Sequence, residues 1–443
     1  MARVMPEPVE VGSCLKYDVA SAPLAPHRGD VSAAELIYGH ARVAYATANW
    51  RRAGERDPSL KEDFLWRPET VSKHSSWPID TVTETAEMIV NDMFFPAVKL
   101  SPIPLERLLD PNDDKTMVQN TSAGYYYRVL HKEKYHPGLK STESVIDHVQ
   151  MKTREFLHLL ATADSTEQID KWISDNESLL AARLLDRRAV AKEPKIRTVY
   201  DVSYLTNLVI GRFSAAFRVW VSSISEHPLM SEMDPITFST HMTSLIAEDE
   251  DVLDSDISKF DKRLRFWAQR RFLARFLSCF EITECSHDSM VYGVTALLLD
   301  CVICTPWAKK YRRRSRLALS GAYIIQTMES WMSSIIIVRA AVITMVRTSV
   351  NPLRRFGVLA DDMLMLIVKY VRQEYCRWLL HCADYFECQL KDGVISVGSV
   401  KSYKWLGYSV VGGIAALDED KLIVLHYCSP RDISEQITDG CKQ

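Results

Sequence analysis

Two acidic steps are set into apolar runs of strand-like length. The first is Asp254-Ser255-Asp256-Ile257-Ser258-Lys259-Phe260-Asp261-Lys262, entered from Val252-Leu253. The second is Asp361-Asp362, inside Gly357-Val358-Leu359-Ala360-Asp361-Asp362-Met363-Leu364-Met365-Leu366-Ile367. A carboxylate in such surroundings is costly unless a cation compensates it. Two carboxylate clusters meeting across a sheet therefore point to a divalent metal site, and the commonest chemistry at such a site is phosphoryl transfer. Asp254 lies two residues before Asp256, so in an extended strand both face the same way, which makes Asp254 a competing ligand.

The remaining composition narrows the class. The chain has 443 residues, enough for two or three domains or one multi-lobed enzyme. It is 47% hydrophobic and 25% charged, with a formal net charge of -3. Global charge thus announces no nucleic-acid partner, and any basic binding surface must be local. Ten cysteines are scattered, many within apolar runs, which favours reduced, buried thiols in a cytosolic chain over a disulfide framework. Cys301-Val302-Ile303-Cys304 has no second ligand pair nearby. The first residues lack the apolar core of a signal peptide. No uncharged apolar stretch reaches the ~18 residues of a membrane span. The longest, Trp331 to Val346, is interrupted by Arg339 and reads as a core helix.

Along the chain, residues 1–80 are rich in Pro, His and charge, with a short helical pattern over 33–52, and read as an extension wrapping a larger body. Residues 81–100 read as helical. Gln150–Leu160 and Leu179–Arg188 show three-to-four-residue apolar spacing, predicting helices within 142–188. Further helices are expected over Val199–Val221, Leu264–Phe280, Leu319–Thr348 and Tyr370–Phe386. Strands are expected at Val252–Ile257, Val394–Val397, Tyr403–Val411 and Leu422–Tyr427. Phe356–Ala360 and Met363–Val368 read as a hairpin turning at Asp361-Asp362. Helices and strands alternate without a repeated β-α-β unit or a Gly-rich phosphate loop. The predicted class is α+β with an antiparallel central sheet.

The order of features is itself informative: a strand ending in Asp256, then Ser320-Gly321 opening a long helix, then the Asp361-Asp362 hairpin. This order resembles motifs A, B and C in the palm of viral RNA-dependent RNA polymerases. The segment Asp256–Lys262 is similar to motif A of the positive-strand RNA virus enzymes. The resemblance implies a right-hand fold with an antiparallel palm sheet, helical fingers and a short or incomplete thumb. It places an N-terminal extension and fingers at 1–110, further fingers at 111–250, the palm at 251–412 with a fingers-like insertion near 282–318, and a minimal thumb or tail at 413–443.

The same resemblance implies roles. Asp256 and Asp361 would hold two Mg2+ ions (Mn2+ being an alternative), supported by Asp362, and activate a 3′-hydroxyl for attack on a nucleoside triphosphate. Asp261 would sense the ribose 2′-hydroxyl, which both donates and accepts. Ser320 and Gly321 would shape the nucleotide loop. The usual Thr and Asn of motif B are Ile325 and Glu329 here. Glu329-Ser330 is similar to the pair in levivirus-like replicases, which makes Glu329 a candidate ribose contact. Ala360 stands where Gly is usual before Asp-Asp.

Lys192-Glu193-Pro194-Lys195-Ile196-Arg197 resembles motif F. Independently of any family, a triphosphate needs several cations, and Arg can bind phosphate bidentately. Arg197, Lys192 and Lys195 are the candidates, with Arg187 and Arg188 extending the channel. Ser122 and Gly124 resemble the template-guiding motif G. The dense basic run 309–316, with Arg312, Arg313 and Arg314, is a candidate for RNA phosphates. Lys391 resembles the motif-D general acid, with Lys401 and Lys404 competing, and Tyr403–Tyr408 resembles motif E.

The expected partners are an RNA template, nascent RNA, ribonucleoside triphosphates and a viral or host protein completing the thumb, in the host cytoplasm, a viral particle or a replication complex. Two other readings stand beside this one. A reverse transcriptase would carry an aromatic gate at the Asp261 position and a Gln-Gly motif before the long helix; neither is found. A catalytically silent RNA-binding module fits the departures at Ile325 and Ala360.

Overall fold

The structure is a computed structural model of the whole chain. It describes residues 8–18, 35–49, 59–68, 74–110, 121–189, 195–224, 227–229, 249–313, 317–320, 322–391, 395–398, 402–406, 408–412, 414–417, 419 and 423.

The fold is α+β, and the sheet that carries the acidic steps is wholly antiparallel. The described residues form twelve strands: β1 (Val9–Ser13), β2 (Ala182–Ala189), β3 (Lys195–Asp201), β4 (Glu250–Asp256), β5 (Val302–Cys304), β6 (Lys309–Arg312), β7 (Leu353–Leu359), β8 (Asp362–Val368), β9 (Ser396–Gly398), β10 (Ser402–Trp405), β11 (Tyr408–Val411) and β12 (Ile414–Leu417). The central sheet runs β7-β8-β4-β9. Its register sets Glu250 opposite Val368 and Asp256 opposite Asp362, with Leu359 opposite Asp362 on the hairpin side.

Alternating residues of these strands serve two layers. One face packs on the helix Tyr323–Thr348, which is buried almost throughout, Trp331, Ile335, Ile336 and Ile337 being fully enclosed. A helix apolar on all sides belongs in a core. The helices Thr81–Phe94 and Arg372–Tyr385 flank it. The segment Ile324–Thr348 is long and apolar enough to cross a membrane, but 83% of its most apolar window is buried inside the fold. Arg339, the charge that interrupts it, is neutralised internally by Asp80 at 3.1 Å, and its guanidinium lies 4.0 Å from the Tyr385 ring. The opposite face of the sheet is covered by the meander β10-β11-β12, through Val252, Leu364, Leu366, Tyr403, Trp405 and Val410.

A second, mixed sheet, β1-β6-β5-β2-β3, stands beside this body. It corrects two expectations. Leu179–Arg188 is not a helix: after the short turn Glu177–Leu180 the chain extends as β2, paired antiparallel with β3 and parallel with β5. The apolar run has the spacing of either element, and pairing decides between them. The expected helix over Val199–Val221 likewise begins as strand and turns helical only at Tyr204–Ser222. The helix expected over 81–100 ends at Phe94. Strand β12 was not anticipated, and Leu422–Tyr427 lies outside the described residues apart from Ile423. Within the N-terminal region β1 pairs with β6 across Val9–Arg312 and Ser13–Lys309.

Candidate active site

Residues facing each other across an antiparallel pair project to the same face. Asp256 and Asp362 are such a pair at the end of β4 and the start of β8. Asp361 sits in the turn before Asp362, and its carbonyl accepts the N–H of Ile257 at 3.1 Å. Burial, with the charges of Asp362 and Asp256, pushes the Asp361 carboxyl up to about 7. Burial and Asp256 push Asp362 up to about 6. Asp254 shares this face: its charge raises Asp362, and its own carboxyl is pushed up by burial, opposed by Lys404.

The turn itself is held from below. Ala360 adopts φ +56, a conformation that glycine accepts freely and alanine does not. Its N–H donates to Ser330 Oγ at 2.8 Å, and its carbonyl accepts from Ser333 Oγ at 2.8 Å. Ser330 in turn donates to the Gln326 carbonyl. Reading the sequence missed this clamp, because two serines inside an apolar helix carry no signal of what they face.

The long helix also brings Glu329 to the site. Glu329 is 8% exposed and its Oε1 has no hydrogen-bond partner. Burial raises its carboxyl well above the usual range, with Asp261 and Asp361 adding to the effect. Asp261 is pushed up to about 6 by burial, opposed by Lys262 and Arg197. Asp261 and Asp361, from two separate elements, therefore both lie within electrostatic reach of Glu329 on a third. Arg197, exposed on β3, turns its charge toward the same group and lowers Asp361, Asp362 and Asp261. Tyr200 on β3 is buried beside Asp261, with its hydroxyl unpartnered. Its N–H donates to the Ser320 carbonyl at 2.8 Å, which fixes the partly buried Ser320 against the strand of Arg197.

Lys391 completes the near side, its Nζ 3.4 Å from Asp256 Oδ2. The segment that carries it runs along the acidic strand, with Ser258 N–H donating to the Gln389 carbonyl and Ile257 bridging Leu390. Lys404 faces Asp254. Lys192, Gly321, Arg314 and Lys401 lie outside the described residues. Lys195 opens β3, in register with Ala189.

Further out, Ser122 Oγ donates to Asp201 Oδ2 at 2.6 Å, and Arg183 pairs with the same oxygen at 2.9 Å. Gly124 has φ +99, and a Cβ there would meet the Ser203 backbone at 3.3 Å, so the turn needs glycine. The basic run is a different matter. Lys309 pairs with Glu10 at 2.6 Å, Lys310 with Glu177 at 2.9 Å and Arg312 with Glu177 at 3.3 Å. Arg313 is buried, donates to the Leu317 and Leu298 carbonyls and lies 5.3 Å from the Phe266 ring. It props the chain leading to Ser320 and does not offer its charge to solvent. Distant acidic partners and a carbonyl-lined pocket absorb most of a run that the sequence shows only as positive.

The donor set suits a hard divalent ion. Among the described residues no three His, Cys, Asp or Glu side chains form a ready-made ion cage. Magnesium is held by one or two carboxylates together with water and phosphate oxygens, so an open carboxylate set is what it needs. Burial first, and neighbouring carboxylates second, raise both Asp361 and Asp362, as expected where carboxylates are gathered with little water.

No family model matches the chain, and no curated protein sequence does. Among solved structures, a Sicinivirus 3Dpol RNA-dependent RNA polymerase superposes with a TM-score of 0.63 at 11% sequence identity, over 93% of this chain and 85% of that one. The fold is therefore that of a right-hand polymerase, and it contains an antiparallel sheet.

Proposed function

We propose that this chain is an RNA-directed RNA polymerase, joining ribonucleoside triphosphates on an RNA template. The observation that carries the reading is the meeting of Asp256 with Asp362 in register beside Asp361, with Glu329 and Arg197 within charge reach of Asp361 and, in turn, of Asp261. Asp256, Asp361 and Asp362 would hold Mg2+ or Mn2+, which when bound supplies Lewis acidity at the attacking hydroxyl and neutralises phosphate charge.

The chain's own residues do the rest. Arg197 offers a cation to the carboxylates that a triphosphate would also meet, and Lys192 and Lys195, close to it in sequence, are proposed to add further positive charge. Asp261 and Glu329 present carboxyl oxygens to the ribose, where a polar wall favours a nucleotide bearing the 2′-hydroxyl. Burial holds the Glu329 carboxyl well above the usual carboxylate range, and in its protonated form it would donate a hydrogen bond to a ribose oxygen. Lys391 stands beside Asp256 and can pass a proton to the leaving pyrophosphate. Ser320 would line the nucleotide, Gly321 is proposed from the sequence for the same loop, and Ser122 and Gly124 would border the template path. Arg312 can exchange Glu177 for an RNA phosphate. The test is template-dependent ribonucleotide incorporation by the purified chain, lost in Asp361→Asn.

A further inference from the structure

The short helix Leu60–Leu65 supplies none of the residues placed at the reaction, yet its side chains reach the elements that do. Asp63 Oδ2 lies 2.6 Å from Lys262 Nζ, and Asp63 Oδ1 lies 3.7 Å from Lys259 Nζ. The same Oδ2 accepts the N–H of Thr198 at 3.2 Å. Thr198 follows Arg197 in β3, while Lys259 and Lys262 bracket Asp261. One carboxylate therefore spans the acidic turn and the strand that carries the phosphate-facing arginine. The Asp63 and Lys262 side chains are 15% and 5% exposed, so solvent screens this tie weakly.

Trp66 closes the other side of the turn. Lys259 Nζ stands 4.3 Å from its ring centroid and the Arg263 guanidinium 5.3 Å. Phe64 fastens the helix to the mixed sheet, packing edge-on against Tyr311 at 5.1 Å and Trp307 at 5.8 Å. Ser59 and Glu62 cap the first turn reciprocally, which fixes where the helix starts. The clasp also grips a strained residue. Lys259 has φ +48, between Asp256 and Asp261. Side chains other than glycine hold that conformation only where their surroundings impose it.

We infer that Asp63, assisted by Trp66, is a positioning residue for nucleotide selection. It sets Asp261 at a fixed distance from Arg197, so that one site measures the ribose and the triphosphate together. Asp63 itself touches neither. This inference rests on the polymerase reading and adds to it the device that joins its two binding elements.

The test uses the full chain on a primed RNA template. It measures kcat, the KM for a ribonucleotide, the preference for ribo- over deoxyribonucleotide and amide hydrogen exchange. Asp63→Asn is expected to raise the nucleotide KM and lower the ribose preference, each by roughly tenfold, as displacement of a positioned group does. The change in kcat should be smaller. Exchange should quicken at 196–201 and 257–263 and stay unchanged elsewhere. Asp63→Glu should recover part of both losses, and Asp175→Asn, which breaks an exposed pair with Lys171, should change nothing. If Asp63→Asn does not fold, Asp63→Asn with Lys262→Gln removes the stranded charge and is read in the same way. An active chain whose Asp63 variant keeps its KM and ribose preference overturns the inference. So does exchange that quickens across the whole chain, the mark of a role in folding alone. A wild-type chain that makes no RNA overturns the polymerase reading instead, and this inference with it.

Discussion

The N–H of Ala360 donates to Ser330 Oγ at 2.8 Å, which joins the acidic turn to the centre of the longest helix. Ser333 holds the carbonyl of the same residue. A residue in a strained conformation is thus held through the peptide units on both its sides, and the carboxylates that follow it inherit a fixed direction. Ser330→Ala should leave that N–H unsatisfied and cost ~1–3 kcal/mol of stability, with a larger fall in kcat than in stability alone. Thermal unfolding and steady-state rates on one preparation check it.

Ala360 tests the same turn from the backbone side. Glycine relieves the left-handed strain but frees the unfolded chain, and the two effects oppose each other. Ala360→Gly should stay within about 1 kcal/mol of the parent and keep its activity. Ala360→Val places a branched side chain at positive φ and should lose ~1–3 kcal/mol, together with most activity. Denaturant titration separates the two variants.

The raised carboxyls of Asp361 and Asp362 would give the proposed Mg2+ binding a pH dependence whose sign follows from the direction of the shifts. At about 7 and about 6 they lie above the unfolded range. Their contribution to stability is therefore present at low pH and is lost as pH rises through those values. A divalent ion requires the ionised form and displaces the protons. The rise in melting temperature produced by Mg2+ should be small below pH 6 and grow to a plateau above pH 7. Taking the difference with and without Mg2+ removes groups of opposite sign, such as His227, whose ring is pushed down to about 4 by burial.

Glu329 should respond to charge more than to shape. Its carboxyl is buried and raised, so Glu329→Gln keeps the volume and removes a group that resists ionisation. That variant should melt at or above the parent temperature above neutral pH, while its preference for ribonucleotides falls. Glu329→Ala should lose stability as well. Melting curves beside competitive ribo- and deoxyribonucleotide incorporation report both.

Arg339 carries a structural prediction. It binds Asp80 at 3.1 Å and Thr83 Oγ1 at 3.1 Å, while Asp80 caps the helix Thr81–Phe94. Arg339→Met leaves Asp80 facing a core without its cation. Breaking a buried pair costs ~3–5 kcal/mol; with Asp80 partly in water, about 2 kcal/mol is expected here. Replacing both partners should cost less than replacing Arg339 alone.

Much of the site was legible because its chemistry contradicts its surroundings. Asp256, Asp361 and Asp362 stand out since carboxylates do not belong in runs such as Val252-Leu253 or Met363–Val368. The strand–helix–hairpin order followed from period and length. Less visible were features that depend on distant partners. Arg313 and Lys310 look like their neighbours in a basic run, yet one is buried and the other is paired with Glu177. Leu179–Arg188 carries a spacing compatible with a helix and is drawn into a sheet by β3 and β5. Asp63 sits in an unremarkable polar stretch, and only the fold shows that its carboxylate meets Lys262 and Thr198.

The most direct measurement is run-off synthesis by the purified chain on a defined RNA template, with labelled ribonucleotides and Mg2+, beside Asp361→Asn. The expected product is complementary to the template and depends on all four ribonucleotides, with the variant reduced by at least about a hundredfold. Product of equal yield from Asp361→Asn, or product built from deoxyribonucleotides alone, would contradict it.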